Sequence, residues 1–251
     1  KDCKSFWSNS RKSLPSYKEI VEKVSFQLDL FFLRIIKRHF WPVHLFWQRF
    51  QLFGACQTMR PVIEQYDCYY FIHRSPVSYS WEEREQRGLL EDKSLTYGET
   101  YWSSFFKILK VLSVQPYDHF VELGCGDGKL CFFMHLFYNI PATGVEQIQF
   151  FIQTAQSIAH ELKIEDVTFV EANLFDYDFS QHTLFYVVCT CFSDEQMDQL
   201  NQQFKKAPPK SRIITSSGVL TGDFLELLDS FFCRFSWGRD FVRIYEVKDL
   251  A

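Results

Sequence analysis

The chain has 251 residues, room for one large domain or for a domain with an extension. Hydrophobic residues make up 47% of it and 28 are Phe, so a dense aromatic core is expected. A net charge of -4 excludes an overall basic field for nucleic acid. The eight Cys form no C-x-x-C pair and no Cys/His cluster with metal spacing, so no structural metal is expected. Several lie in apolar runs as small hydrophobes, which fits a reducing, cytoplasmic setting.

Lys1 to Leu14 is polar and carries no apolar run of the kind that directs secretion. From Tyr17 to about Arg38 apolar residues recur at helical spacing, and a second helix is expected from Val43 to Phe53. Between Phe26 and Phe53 the charges Asp29, Arg34, Lys37, Arg38 and Arg49 argue against a transmembrane span. That stretch reads instead as core-packed helices split near Pro42, or as a surface for a partner or a membrane face. Residues 55–80, with Pro61, Pro76 and several Tyr, read as an irregular connector, and Trp81 to Leu90 as helix-prone.

The texture changes after Thr96. Tyr101 to Leu112 reads as a helix, and strands then alternate with helices. Strands are expected at His119 to Leu123, Ala142 to Val145, Val167 to Glu171, Leu184 to Cys189 and Arg212 to Ser216. Helices are expected at Leu130 to Phe137, Phe150 to Leu162, Asp194 to Phe204 and Phe224 to Leu228. Phe231 to Ser236 and Phe241 to Val247 read as a closing strand pair. The alternation predicts a mostly parallel α/β sheet covered on both faces, over residues 96–251, behind an N-terminal extension, residues 1–95.

The chemistry centres on Val121-Glu122-Leu123-Gly124-Cys125-Gly126-Asp127-Gly128. A buried strand feeds a turn whose alternating glycines allow positive φ and close approach of a ligand, and a helix follows. Glu146 ends the next strand about 20 residues on, where an acid can accept hydrogen bonds from ribose hydroxyls. Asn173 and Leu174 follow the third strand, where a short polar side chain can meet an adenine edge with Phe175 beside the ring. The Rossmann dehydrogenase fingerprint is G-x-G-x-x-G, whereas Gly124, Gly126 and Gly128 alternate as G-x-G-x-G.

These residues resemble class I S-adenosylmethionine-dependent methyltransferases. The resemblance implies a Rossmann-like, seven-stranded fold, S-adenosylmethionine as cofactor, and cofactor contacts from Glu122, Gly124, Gly126, Gly128, Glu146, Asn173 and Leu174. Tyr97-Gly98-Glu99 before the first domain helix, with Cys189-Thr190-Cys191-Phe192 after the fourth strand, is similar to the Dot1-like branch of protein-lysine methyltransferases. There the Tyr-Gly-Glu loop lies over the methionine part of the cofactor, a role the resemblance carries to Tyr97, Gly98 and Glu99. It implies methyl transfer to a protein side chain, lysine foremost, with Cys189, Thr190, Phe192 and Trp237 lining the acceptor channel. No general base is named and no metal is needed. The chain departs from the branch in lacking its Asn-rich fourth-strand loop. A small-molecule or lipid acceptor, and a non-catalytic cofactor-binding scaffold, are the competing readings.

Overall fold

The structure, a computed structural model, describes residues 59–249 except 73 and 74. The helices expected at 17–38 and 43–53, and the partner or membrane surface expected at 26–53, lie outside the described residues. Six α-helices and seven strands follow in the order α1 (Arg60–Ile72), α2 (Pro76–Gln86), α3 (Trp102–Val111), β1 (Phe120–Leu123), α4 (Lys129–Tyr138), β2 (Ala142–Glu146), α5 (Gln149–Glu161), β3 (Val167–Glu171), β4 (Leu184–Val188), α6 (Asp194–Phe204), β5 (Arg212–Ser216), β6 (Leu225–Phe235) and β7 (Gly238–Val247). Among the described residues no helix is long and apolar enough to cross a membrane.

The strands form one sheet in the order β3-β2-β1-β4-β5-β7-β6. β1 to β5 are parallel, and β7 runs antiparallel to both β5 and β6. Chain order reverses at β1, which pairs β2 on one side and β4 on the other. Such a reversal opens a crevice at the carboxyl ends of the strands, the usual ligand position in an open α/β sheet.

Alternation along each strand divides the core into two layers. Phe120, Tyr186, Phe169 and Ile244 face α3, α4 and α5 with Phe105, Phe132, Phe133 and Ile152. Val121, Leu123, Phe185, Val187 and Tyr245 face the other way, towards Leu200 and Phe204 of α6. Every residue of β1 is buried, as expected for the middle of a parallel sheet.

Three sequence expectations are corrected. Where an irregular connector is expected, residues 59–80 hold helix α1 and the first half of α2. Pro76 occupies the first turn of α2, where its missing N–H costs nothing, and Ser75 caps that helix by accepting from Ser78 N. Residues 224–228 do not form a helix; from Leu225 they begin β6. A bulge between Leu227 and Asp229 breaks the alternation that marks a strand. The helix expected from Trp81 to Leu90 ends at Gln86, and Gly88, at φ +67°, turns the chain beyond it.

Candidate functional site

The loop from β1 to α4 bends through three left-handed glycines, Gly124 (φ +77°), Gly126 (φ +51°) and Gly128 (φ +77°). A Cβ on Gly124 would meet nothing within 4 Å, so that side of the loop is open. A Cβ on Gly128 would lie 2.2 Å from the Phe169 ring, so only glycine lets α4 sit this close to β3. Glu146, 9% exposed, ends β2 beside this loop. Its carboxylate accepts from Gly126 N at 2.9 Å, Gln147 N at 2.7 Å and Ile148 N at 2.9 Å. Burial pushes its pKa up, against the pull of those three N–H groups. A carboxylate offers about four lone-pair positions, so three bonds leave capacity for a further donor.

Glu122 is nearly enclosed at 7% exposure. Burial first, then the nearby Asp127 charge, raises its carboxyl well above the usual range. The Cys131 thiol donates to it at 3.6 Å. Glu122 therefore lies within the protein, behind the loop.

The Tyr97-Gly98-Glu99 segment lies against the same loop. The Tyr97 ring stands 3.4 Å from where a Gly126 Cβ would be, and its hydroxyl donates to Glu99 Oε1 at 2.8 Å. Trp237, from the β6–β7 turn, covers Gly98 so closely that a Cβ there would lie 2.9 Å from its ring. Ser236 Oγ accepts from Glu99 N, and Ser236 N donates to Glu99 O. Lys129, at the start of α4, pairs with Asp127 at 2.9 Å and reaches Glu99 at 3.8 Å. Its ammonium also lies over the Tyr66 and Tyr70 rings of α1. Burial alone would lower the Lys129 pKa, but Asp127 and Glu99 outweigh it and hold Lys129 above its ordinary value. Tyr66 donates to Asp127 O, tying α1 to the glycine loop.

Further along the strand ends lies an open cleft of about 560 Å³. Asn173, Phe175, Cys191 and Phe192 line it from the sheet side, and Glu91 and Asp92 from the segment before the short 3₁₀ turn Lys93–Leu95. The Phe175 and Phe192 rings are 5.5 Å apart. Asn173 Oδ1 accepts from Phe175 N, which shapes the loop, while Leu174 packs on the α6-side core. Among the residues expected in an acceptor channel, Phe192 lines the cleft and Thr190 is exposed beyond β4. Cys189 instead faces inward, 6% exposed, against Gly218 and the core. Burial pushes its thiol up to about 12, so it is no ready thiolate. Trp237 belongs with Gly98 rather than with the cleft.

Residues 116–230 match a family model described as a methyltransferase domain. They span β1 to β5 and the first half of β6, and so include the glycine loop and Glu146. Within residues 116–230 the chain carries a methyltransferase domain, on a mostly parallel seven-stranded sheet. Comparison with curated proteins gives no match. Solved structures similar to this chain include an RNA methyltransferase from Salinibacter ruber in complex with S-adenosyl-L-homocysteine, 19% identical, aligned over 61% of this chain and 95% of that one, with a TM-score of 0.49. A tRNA methyltransferase from Bacillus subtilis is 10% identical, aligned over 58% of this chain and 66% of that one, with a TM-score of 0.47.

Sequence reasoning missed several residues that frame the methyltransferase site. Glu83 of α2 accepts from Gln149 N at 2.8 Å and Phe150 N at 2.9 Å, and so caps α5 right after Glu146. Arg87 donates to Gln147 O at 2.7 Å. Asp127 lies inside the glycine motif and Lys129 directly after it, but both show their role only through Glu99 and Tyr66, which are distant in the chain. Among the described residues no group of three or more His, Cys, Asp or Glu could hold a metal.

Proposed function

We propose that the methyltransferase domain, residues 96–251, transfers the methyl group of S-adenosylmethionine to a lysine side chain of a protein, with residues 1–95 as an extension that helps choose the acceptor. When bound, the cofactor supplies a methyl group on a sulfonium, already an excellent leaving group. The protein's part is to bind, align and exclude water.

The residues fit the cofactor. Gly124 and Gly126 leave room along the loop, and Glu146 has acceptor capacity for a ribose hydroxyl. Tyr97, Gly98 and Glu99 cover the loop, with the Glu99 carboxylate placed for an ammonium group. Glu122 supports the loop from behind. Asn173 and Leu174 are assigned to the adenine edge, as the resemblance implies. Thr190, Phe192 and Trp237 are assigned to the acceptor side, and Cys189 packs inward against Gly218. The four buried thiols Cys125, Cys131, Cys189 and Cys233 act as small core hydrophobes, in keeping with a cytoplasmic setting.

The observation that carries the acceptor class is the charge of the cleft. Glu91, Asp92 and Glu195 line it against the single cation Lys93, beside the Phe175 and Phe192 rings. Carboxylates favour a cationic side chain, and aromatic walls desolvate it. The volume also lies in the range of small-molecule sites, which keeps a small cationic acceptor as the second reading. Tritiated S-adenosylmethionine offered with lysine-rich peptides, single-stranded RNA and small amines separates these. Label in the peptides, weakened at least tenfold by a combined Glu91→Gln and Glu195→Gln change, is expected. Label only in RNA or only in small amines would refute the lysine assignment.

A further inference from the structure

Beyond the cleft, a chain of side-chain hydrogen bonds crosses the carboxyl ends of β4 and β5 and the start of β7. Thr190 Oγ1 lies 3.0 Å from Ser217 Oγ, and Ser217 Oγ donates to Asp240 Oδ2 at 2.5 Å. Trp237 Nε1 donates to the same Asp240 oxygen at 3.3 Å, while Phe241 N donates to Asp240 Oδ1 at 2.8 Å. We infer that this chain presents the Thr190 hydroxyl oxygen as a hydrogen-bond acceptor to the N–H of the incoming methyl acceptor, with Ser217 and Asp240 as positioning residues.

The polarity follows from proton counting. An ionised carboxylate only accepts, so the single hydroxyl proton of Ser217 is committed to Asp240. The Thr190–Ser217 contact then has one sense: Thr190 donates. The Thr190 proton points inward, and its lone pairs are left for an outside donor. Thr190 is exposed and stands one residue before Cys191 and two before Phe192, which line the cleft. An N–H held by that oxygen turns the nitrogen's lone pair away from it, which is the orientation a nucleophile needs.

A second observation is backbone strain. Four described non-glycine residues have positive φ. Asn139 and Lys163 follow helix ends, and Lys210 lies in the turn before β5, places where a left-handed residue is ordinary. Ser217, at φ +70°, instead directly follows β5 at the ligand edge of the sheet. Glycine would hold that backbone at less cost. Serine adds the hydroxyl that links Thr190 to Asp240.

The inference rests on the lysine reading above, and its test uses the full chain with poly-L-lysine and tritiated S-adenosylmethionine. Ser217→Gly relieves the strained backbone and removes the short side chain that carries the hydroxyl. It is expected to keep or raise the melting temperature and to leave calorimetric cofactor affinity within twofold, while kcat for poly-lysine falls at least tenfold. Thr190→Val is expected to lose rate similarly, and Thr190→Ser to restore most of it. An unchanged kcat in Ser217→Gly and Thr190→Val, with poly-lysine methylated by the wild type, would overturn the positioning role and leave the lysine reading standing. Wild-type protein that binds the cofactor but methylates no poly-lysine would overturn the lysine reading, and this inference with it.

Discussion

Gly124 and Gly128 share φ +77° but not surroundings. A Cβ on Gly128 meets the Phe169 ring at 2.2 Å, whereas one on Gly124 meets nothing within 4 Å. Gly124→Ala is therefore expected to cost about 1 kcal/mol of backbone strain. Gly128→Ala adds overlap with Phe169 and is expected to cost about 3 kcal/mol. Urea unfolding of the two variants checks the contrast; equal losses would show that the ring gives way freely. At this scale the sequence was most readable where function is local. Strand, glycine turn, helix and the following acid lie within about 25 residues, so Gly124 to Gly128 and Glu146 stood out. Ser217, Asp240 and Glu83 did not, because each acquires meaning only from a partner that folding brings to it.

Asp118, just before β1, shows what holds the elements in register. It is 1% exposed, accepts from Gln115 N at 2.6 Å and Thr183 Oγ1 at 3.0 Å, and pairs with Arg212 at the start of β5. Arg212 also donates to Ser113 O. One carboxylate thus ties the approach to β1 to the starts of β4 and β5, at the end of the sheet opposite the site. Asp118→Ala strands the Arg212 charge and is expected to cost about 3 kcal/mol or more in denaturant unfolding. A loss below about 1 kcal/mol would show the pair to be effectively solvated.

Element boundaries were legible where an apolar run is bounded cleanly: Val167–Glu171, Asp194–Phe204 and Arg212–Ser216 stand as expected. The reading failed at α1 and the first half of α2, where aromatic residues on several faces blur the helical period and Pro76 resembles a breaker. It failed again at the start of β6, where adjacent Leu227 and Leu228, at a bulge, imitate a helical stripe.

For the whole molecule, the order of the sheet places every proposed cofactor group along one edge. That order follows from pairing and crossover handedness rather than from any short motif, so the alternation of elements predicted the fold class without the strand order. The opposite edge holds a pH-sensitive feature. His182, 2% exposed, accepts or donates at Nε2 with Tyr177 Oη at 3.0 Å, and its ring lies 4.5 Å from that of His119. Burial first, then the His119 charge, lowers its pKa to about 4. Between pH 6.5 and 4 the unfolded chain binds a proton there that the folded one refuses, so the His182 contribution is complete above 6.5 and lost as pH falls towards 4. Glu122 and Glu146, raised by burial, work in the opposite sense, so the wild-type curve alone mixes these effects. Against His182→Phe, the wild type is expected to lose about 2 kcal/mol more between pH 7.5 and pH 5. Parallel losses in the two proteins would show that His182 titrates normally.

The central claim is that the glycine loop and Glu146 hold S-adenosylmethionine. It is tested most directly by calorimetric titration of the full chain with S-adenosylmethionine, wild type beside Glu146→Ala, with circular dichroism to confirm that both are folded. Micromolar binding by the wild type, weakened at least tenfold in a folded Glu146→Ala, is the expected result. A folded wild type that binds no cofactor, or a Glu146→Ala that binds it equally well, would contradict this account of the site.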